Sequence, residues 1–166
     1  MLSTFVIVFR ETLEAALIVA IVLAASKGIQ RRGWAVATGV AGGLVGAGVV
    51  AAFADALANQ FDGNGTEVFN AAVLLMAVCM LAWHQIWMSA HGAELANAGR
   101  AVGNAVREGA KPLSALAIIC LVAVLREGSE TVLFLYGIAV DGEVGVASMF
   151  EGGIFGSIAA AAVGWL

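Results

Sequence analysis

The sequence predicts an all-α, polytopic transmembrane helical bundle of five spans, and three observations predict it. Apolar residues make up 61% of the 166 and charged residues only 12%, about half the share usual in a soluble domain. The apolar residues are grouped in blocks close to the roughly 20 residues that cross a bilayer. The loops between those blocks alternate strictly between basic and acidic. Mean hydropathy is +0.97. A single proline and 21 glycines fit packed membrane helices better than a loop-rich soluble fold.

The spans are taken in chain order. Residues 3–25 form the first. Ala24-Ala25-Ser26 after an apolar run resembles a cleavage site, but no basic segment precedes it and Glu11 and Glu14 interrupt it, so a retained helix is expected. Lys27, Arg31 and Arg32 make the first loop basic. The second span, 33–56, carries two overlapping GxxxG patterns, Gly39/Gly43 and Gly42/Gly46, which favour close helix contact. An acidic loop follows, with Asp55, Asp62 and Glu67 around an Asn64-Gly65 turn. The third span, 67–90, ends near Trp83 and Trp87, which with Trp34 fit an aromatic belt at the inner interface.

Between spans three and four, Leu95, Ala98, Val102 and Val106 recur at three- and four-residue spacing. Asn97, Arg100, Asn104 and Arg107 fall off that face. The stretch 93–111 therefore reads as a short amphipathic cytoplasmic connector on the inner membrane surface. Arg100, Arg107 and Lys111 make it basic, and Pro112 suits the first turn of span four. That span covers 112–140. A short acidic loop with Asp141 and Glu143 leads to span five, 144–166, which has its own Gly152/Gly156 pair. Basic loops one and three face the cytoplasm by the positive-inside rule, which puts the N-terminus outside. Short loops and a compact layout suggest a bacterial inner membrane. The whole chain, 1–166, reads as one membrane domain. Its first repeat is 1–90, and its second, 112–166, lacks a third helix.

Charges sit where the bilayer makes them costly. Span one holds Arg10-Glu11-Thr12-Leu13-Glu14 and span four holds Arg126-Glu127-Gly128-Ser129-Glu130. Both read R-E-x-x-E inside apolar sequence. Each such charge costs about 2.5–3.5 kcal/mol at a helix centre. At roughly 100° per residue, the arginine and second glutamate lie about 40° apart and the two glutamates about 60°. All three groups share one helix face. Four glutamates against two arginines leave two uncompensated negative charges when all are ionised, so the set calls for protons or a cation. Oxygen ligands suit hard cations. Ferric iron fits such a set well, and Mn²⁺, Ca²⁺ or Mg²⁺ remain open. Because three spans separate the motifs, the two halves form an inverted three-helix repeat, an arrangement that places transport sites near the midplane.

Two R-E-x-x-E motifs, in the first and fourth spans of an N-outside protein, resemble those of the high-affinity, oxidase-dependent iron permeases. The phrase Arg10-Glu-Thr-Leu-Glu-Ala-Ala-Leu-Ile-Val is similar to that family's opening helix, and the resemblance extends over essentially the whole chain. It implies iron, as Fe³⁺, passed inward as transported substrate by Glu11, Glu14, Glu127 and Glu130, with Arg10 and Arg126 as charge partners. It also implies an extracytoplasmic partner that oxidises or delivers iron. The family usually has seven spans where five are read here, and Asn70 stands where bacterial members often carry another glutamate.

Weaker candidates surround this set. Glu67, Glu151 and Asp62 are secondary acidic candidates, and Asp141 and Glu143 would complete an acidic outer rim that concentrates cations. His84 and His91, seven apart, are read as interfacial histidines, with a metal-exit role as the alternative. Met76, Met80 and Met88 are read as packing residues, and Cys79 and Cys120 as small core residues. Net charge is −4, with no basic face for nucleic acid. No haem, flavin or iron–sulfur ligand set is visible, so neither a redox enzyme nor a bound cofactor is expected. A transporter of another cation, such as lead or manganese, and a non-transporting scaffold stapled by Arg–Glu pairs remain alternatives. The expected partners are iron, the lipid bilayer, the iron-supplying protein and, optionally, a second copy of the chain.

Overall fold

The computed structural model describes residues 1–60, 66–141 and 145–165, and those residues form five α-helices and no strand. They are α1 (Leu2–Ala25), α2 (Arg32–Gln60), α3 (Thr66–Arg107), α4 (Ser114–Asp141) and α5 (Val146–Trp165). Two of them, over Arg32–Ala54 in α2 and Ala147–Gly164 in α5, are long and apolar enough to cross a bilayer by composition alone. At 24 and 28 residues, α1 and α4 are long enough too. Each carries an arginine and two glutamates mid-run, and that burden is what separates them from α2 and α5.

Glycine contacts fix the helix directions. In α5, Gly152 lies against Met1 and Thr4, and Gly164 against Ala16, so α5 runs parallel to α1. In α2, Gly39 lies against Ala117, while Gly128 of α4 meets Ala47, so α2 runs parallel to α4. A short turn joins α1 to α2, which makes α1 and α4 antiparallel. The dominant helix pairs are α2 with α4 and α5 with α1, and α1 also packs directly on α4. The second helix of each half thus packs on the first helix of the other.

These interfaces are built from the GxxxG patterns. A Cβ added at Gly43 would stand 2.7 Å from the Val124 Cβ and 2.9 Å from the Leu121 carbonyl. One at Gly156 would stand 2.8 Å from the Phe5 carbonyl oxygen. Only glycine lets the backbones approach this closely. The turns are equally local. Arg32 Nη1 donates to the Leu23 carbonyl at 2.8 Å, satisfying an open carbonyl at the end of α1. Gly109, at φ +76°, closes α3. Pro112 precedes α4 rather than lying in its first turn. Its carbonyl accepts the Ala115 N–H at 3.0 Å, and so leads the chain into the helix.

The largest departure from expectation is α3. It runs unbroken for 42 residues, about 63 Å at 1.5 Å per residue, where a span ending at residue 90 and a separate surface helix were anticipated. The amphipathic stripe is present, but its C-terminal half, Val102 and Val106, faces protein, while Ala98 is exposed. Val106 belongs to a buried cluster with Val22, Ala35, Val36, Leu116 and Cys120, and Val102 packs against it. Gly99 and Gly103 lie beside Ile21, Val22 and Ala25 of α1. Nothing between Ala90 and Arg107 breaks a helix, so the pattern that suggested a lipid-facing stripe marks a helix-packing face. The longer helix also moves Trp83 and Trp87 away from its inner end to its middle. Cys120 is buried as anticipated, whereas Cys79 is exposed on α3.

The distribution of polarity is reversed relative to a soluble bundle. Leu44, Val45, Phe53, Leu75, Ile86 and Ile154 are exposed, whereas Glu11, His84 and Glu127 are among the most buried side chains. An apolar exterior around a charged interior is what a lipid environment selects.

Candidate functional site

The charged interior lies where α1 and α4 cross. In each helix an apolar run fixes an α-helical backbone through the motif, and the i, i+1, i+4 spacing sets arginine and glutamates on one face. Arg10 Nε donates to Glu14 Oε1 at 3.0 Å and lies 3.7 Å from Glu11 Oε1. Arg126 Nε donates to Glu130 Oε1 at 3.3 Å and lies 3.8 Å from Glu127 Oε1. The two motifs therefore adopt the same local geometry on antiparallel helices. Glu11 is 1% exposed and Glu127 2%.

The motifs face each other. One ligand atom from each of Glu11, Glu127, Glu130 and His84 lies within 4.8 Å of the others. Glu14 stands just outside that set, between Arg10 and His84. His84, 3% exposed, joins the halves. Its Nε2 lies 3.2 Å from Glu14 Oε2 and its Nδ1 2.6 Å from Glu130 Oε2. Arg126 rests over the Trp87 ring at 4.7 Å, so Trp87 holds a guanidinium.

Several buried oxygens in the cluster lack a hydrogen-bond donor: both of Glu11, Oε2 of Glu127 and Oε2 of Glu130. The contact of Glu130 Oε2 with His84 Nδ1 is close but lacks hydrogen-bond alignment. Orphaned buried carboxylate oxygens are costly, and a purely structural network would be expected to satisfy them. Converging oxygens with one nitrogen are a donor set for a cation. Two larger cavities reach the cluster from different faces of α4, and a third, of about 100 Å³, is lined by Arg126 and Glu127 among others. One, of about 410 Å³, is lined by Glu11, Glu127, Thr12 and Thr131 among others. The second, of about 500 Å³, is lined by His84, Arg126 and Glu130 with Met76, Cys79 and Met80.

The remaining candidates fall elsewhere. Glu151 is exposed on α5, outside the cluster. Asp62 and Glu143 lie outside the described residues, as do the side chains of Glu67 and Asp141. His91 stacks on Trp87 at 4.9 Å and contacts its carbonyl, so the two histidines do different things. His84 is the residue the sequence reading undervalued. Its signal was present, since an ionisable side chain inside an apolar run is a functional candidate by default. Ending span three at residue 90 had placed it near an interface.

Residues 1–166 match the family described as the iron permease FTR1 family. The chain is 35% identical over 170 residues to the ferrous iron permease EfeU of Yersinia pseudotuberculosis, covering 99% of this chain and 59% of that protein. It is 31% identical over 156 residues to the ferrous iron permease EfeU of Escherichia coli O157:H7, covering 88% and 54%. The chain thus spans a little over half the length of the curated relatives it matches. No solved structure matches it significantly.

Proposed function

Because the chain belongs to the iron permease FTR1 family, an integral membrane family, we propose that it moves iron across the membrane through a centre shared by its two R-E-x-x-E motifs. The observation that carries this reading is the set of orphaned carboxylate oxygens. Glu11 and Glu127, almost wholly buried, face each other from antiparallel helices within hydrogen-bond reach of one another, a pair that calls for a shared proton or a cation. A bundle held together only by Arg–Glu pairs would have no use for them.

In this reading an ion arrives through one cavity as a hydrated cation and exchanges water for carboxylate oxygens. Arg10 and Arg126 are the resident counter-charges. As the cation approaches, each guanidinium gives up part of its hold on Glu14 or Glu130, so the site's charge stays near balance throughout. Departure into the other cavity restores the pairs. The antiparallel crossing of α1 and α4 supports a two-fold arrangement in which rocking of the halves alternates access. The motif resemblance favours Fe³⁺ and the names of the relatives favour Fe²⁺. The nitrogen donor of His84 tips the balance toward Fe²⁺. The orientation proposed has the N-terminus outside and the basic turns at Lys27–Arg32 and Arg107–Lys111 in the cytoplasm of a bacterial inner membrane. An extracytoplasmic protein that delivers iron is the proposed partner; one that oxidises it would go with carriage of Fe³⁺ instead.

Uptake of isotopic iron by membrane vesicles carrying the protein tests this. Glu14→Ala and Glu130→Ala are each expected to abolish uptake while the protein remains in the membrane. Uptake at the unsubstituted rate by both variants rejects the centre.

A further inference from the structure

His84 lies outside both motifs, on a different helix, and yet is the residue through which they touch. We propose that it is a ligand of the transported ion, the one nitrogen in a set otherwise built of Glu11, Glu127 and Glu130. Through it, the site would favour a borderline transition-metal ion over hard divalent cations such as Mg²⁺, Ca²⁺ and Mn²⁺. This rests on the iron-permease reading above and names an element of it that the motifs do not contain.

Three observations converge. The first is position: a His84 nitrogen and one oxygen from each of the three glutamates lie within 4.8 Å of one another, with His84 buried to 3% exposure. The second is ring orientation. His84 Nε2 lies 3.2 Å from Glu14 Oε2, and Arg126 Nη2 approaches Nδ1 at 3.5 Å. Both ring nitrogens thus face carboxylate oxygens, Nδ1 lying 2.6 Å from Glu130 Oε2; with a cation on Nδ1, Nε2–H would remain on Glu14. That is the arrangement of a metal-bound imidazole, one nitrogen on the ion and the other N–H held by a carboxylate. It also gives Glu14 a task different from the other three glutamates: it holds the ligand. Glu130 Oε2, 2.6 Å from Nδ1 without hydrogen-bond alignment, is then a neighbouring ligand atom awaiting the same ion.

The third observation is the approach to the site. The cavity that opens on His84 and Glu130 is walled by Met76, Cys79 and Met80, donors that hard cations do not use. Carboxylates alone bind Mg²⁺, Ca²⁺ and Mn²⁺ readily, while imidazole and sulfur shift preference toward ions further along the divalent series. A permease working amid abundant Mg²⁺ and Ca²⁺ needs such a bias.

The test uses the purified full chain, anaerobically loaded with Fe²⁺ alone and examined by X-ray absorption, together with competition by Mn²⁺ and Mg²⁺. The unsubstituted protein is expected to show imidazole scattering from one ligand. His84→Gln is expected to lose that scattering, bind Fe²⁺ about ten- to a hundredfold more weakly, and lose most of its preference over Mn²⁺. His91→Gln removes the only other histidine and is expected to keep all three properties. Two results overturn the proposal and are distinguishable. Iron bound by oxygen alone in the unsubstituted protein rejects His84 as a ligand and leaves the carboxylate centre standing. No binding of iron at all rejects the centre on which both readings depend. Because the first measurement needs no variant, misfolding of His84→Gln does not shield the proposal.

Discussion

Arg10 and Arg126 hold matching places, but their surroundings differ, and that difference can be tested. Arg126 also rests on Trp87 and approaches His84. Replacing it by Gln leaves Glu127 and Glu130 without their guanidinium and adds one unit to the site's negative charge. The melting temperature without iron is expected to fall, and the rise on adding Fe²⁺ is expected to exceed that of the unsubstituted protein. Saturation at a hundred times Kd corresponds to about 2.7 kcal/mol of stabilisation. Thermal unfolding in detergent with and without iron checks both. At this scale the sequence revealed most of the site: the two motifs, their shared face and their surplus charge all follow from spacing. The place of His84 does not. It depends on how far α3 slides along α1, which is set by Gly99 and Gly103 meeting Ile21, Val22 and Ala25, contacts that no periodicity within α3 announces.

Individual helices separate close packing from mere small-residue content. A Cβ added at Gly43 would meet α4 backbone and side chain at under 3 Å, while one at Gly48, five residues on in the same helix, would meet nothing within 4 Å. Gly43→Ala is expected to cost about 1–3 kcal/mol through overpacking, with Gly48→Ala within about 0.5 kcal/mol of neutral. Reversible unfolding of the two variants in mixed micelles distinguishes them. Equal losses would show that α2 and α4 do not approach as described. Helix identity was the most legible feature of the chain, because bilayer-length apolar runs leave little choice. Helix length was less so: α3 outlasts its apolar run because Val102 and Val106 find protein partners, and partners are a tertiary property.

For the molecule as a whole, α1, α3 and α5 run one way and α2 and α4 the other. The turns at Lys27–Arg31 and Glu108–Leu113 therefore share one end, opposite the start of α1. Cysteines placed singly at Lys27 and Lys111, with Cys79 and Cys120 replaced, are expected to react with an impermeant thiol reagent from the same side of sealed vesicles. One at Ser3 is expected to react only from the opposite side. Labelling of Lys27→Cys and Lys111→Cys from different sides would break the topology. The sequence anticipated this layout from loop charge alone. It did not show how the halves exchange partners, α2 onto α4 and α5 onto α1, since the glycine pairs say that a helix packs closely without saying on which neighbour.

One consequence follows from the two cavities. The linings of the two larger cavities have no residue in common, and a third, of about 100 Å³, touches Glu127 of the one and Arg126 of the other. On the proposed function, the carboxylates that would take the ion also stand between the two larger cavities. Passage would then be a handover, one ion for one rearrangement of arginine partners. Throughput should accordingly plateau at low iron concentration, and the resting protein should hold back protons and sodium without a separate plug.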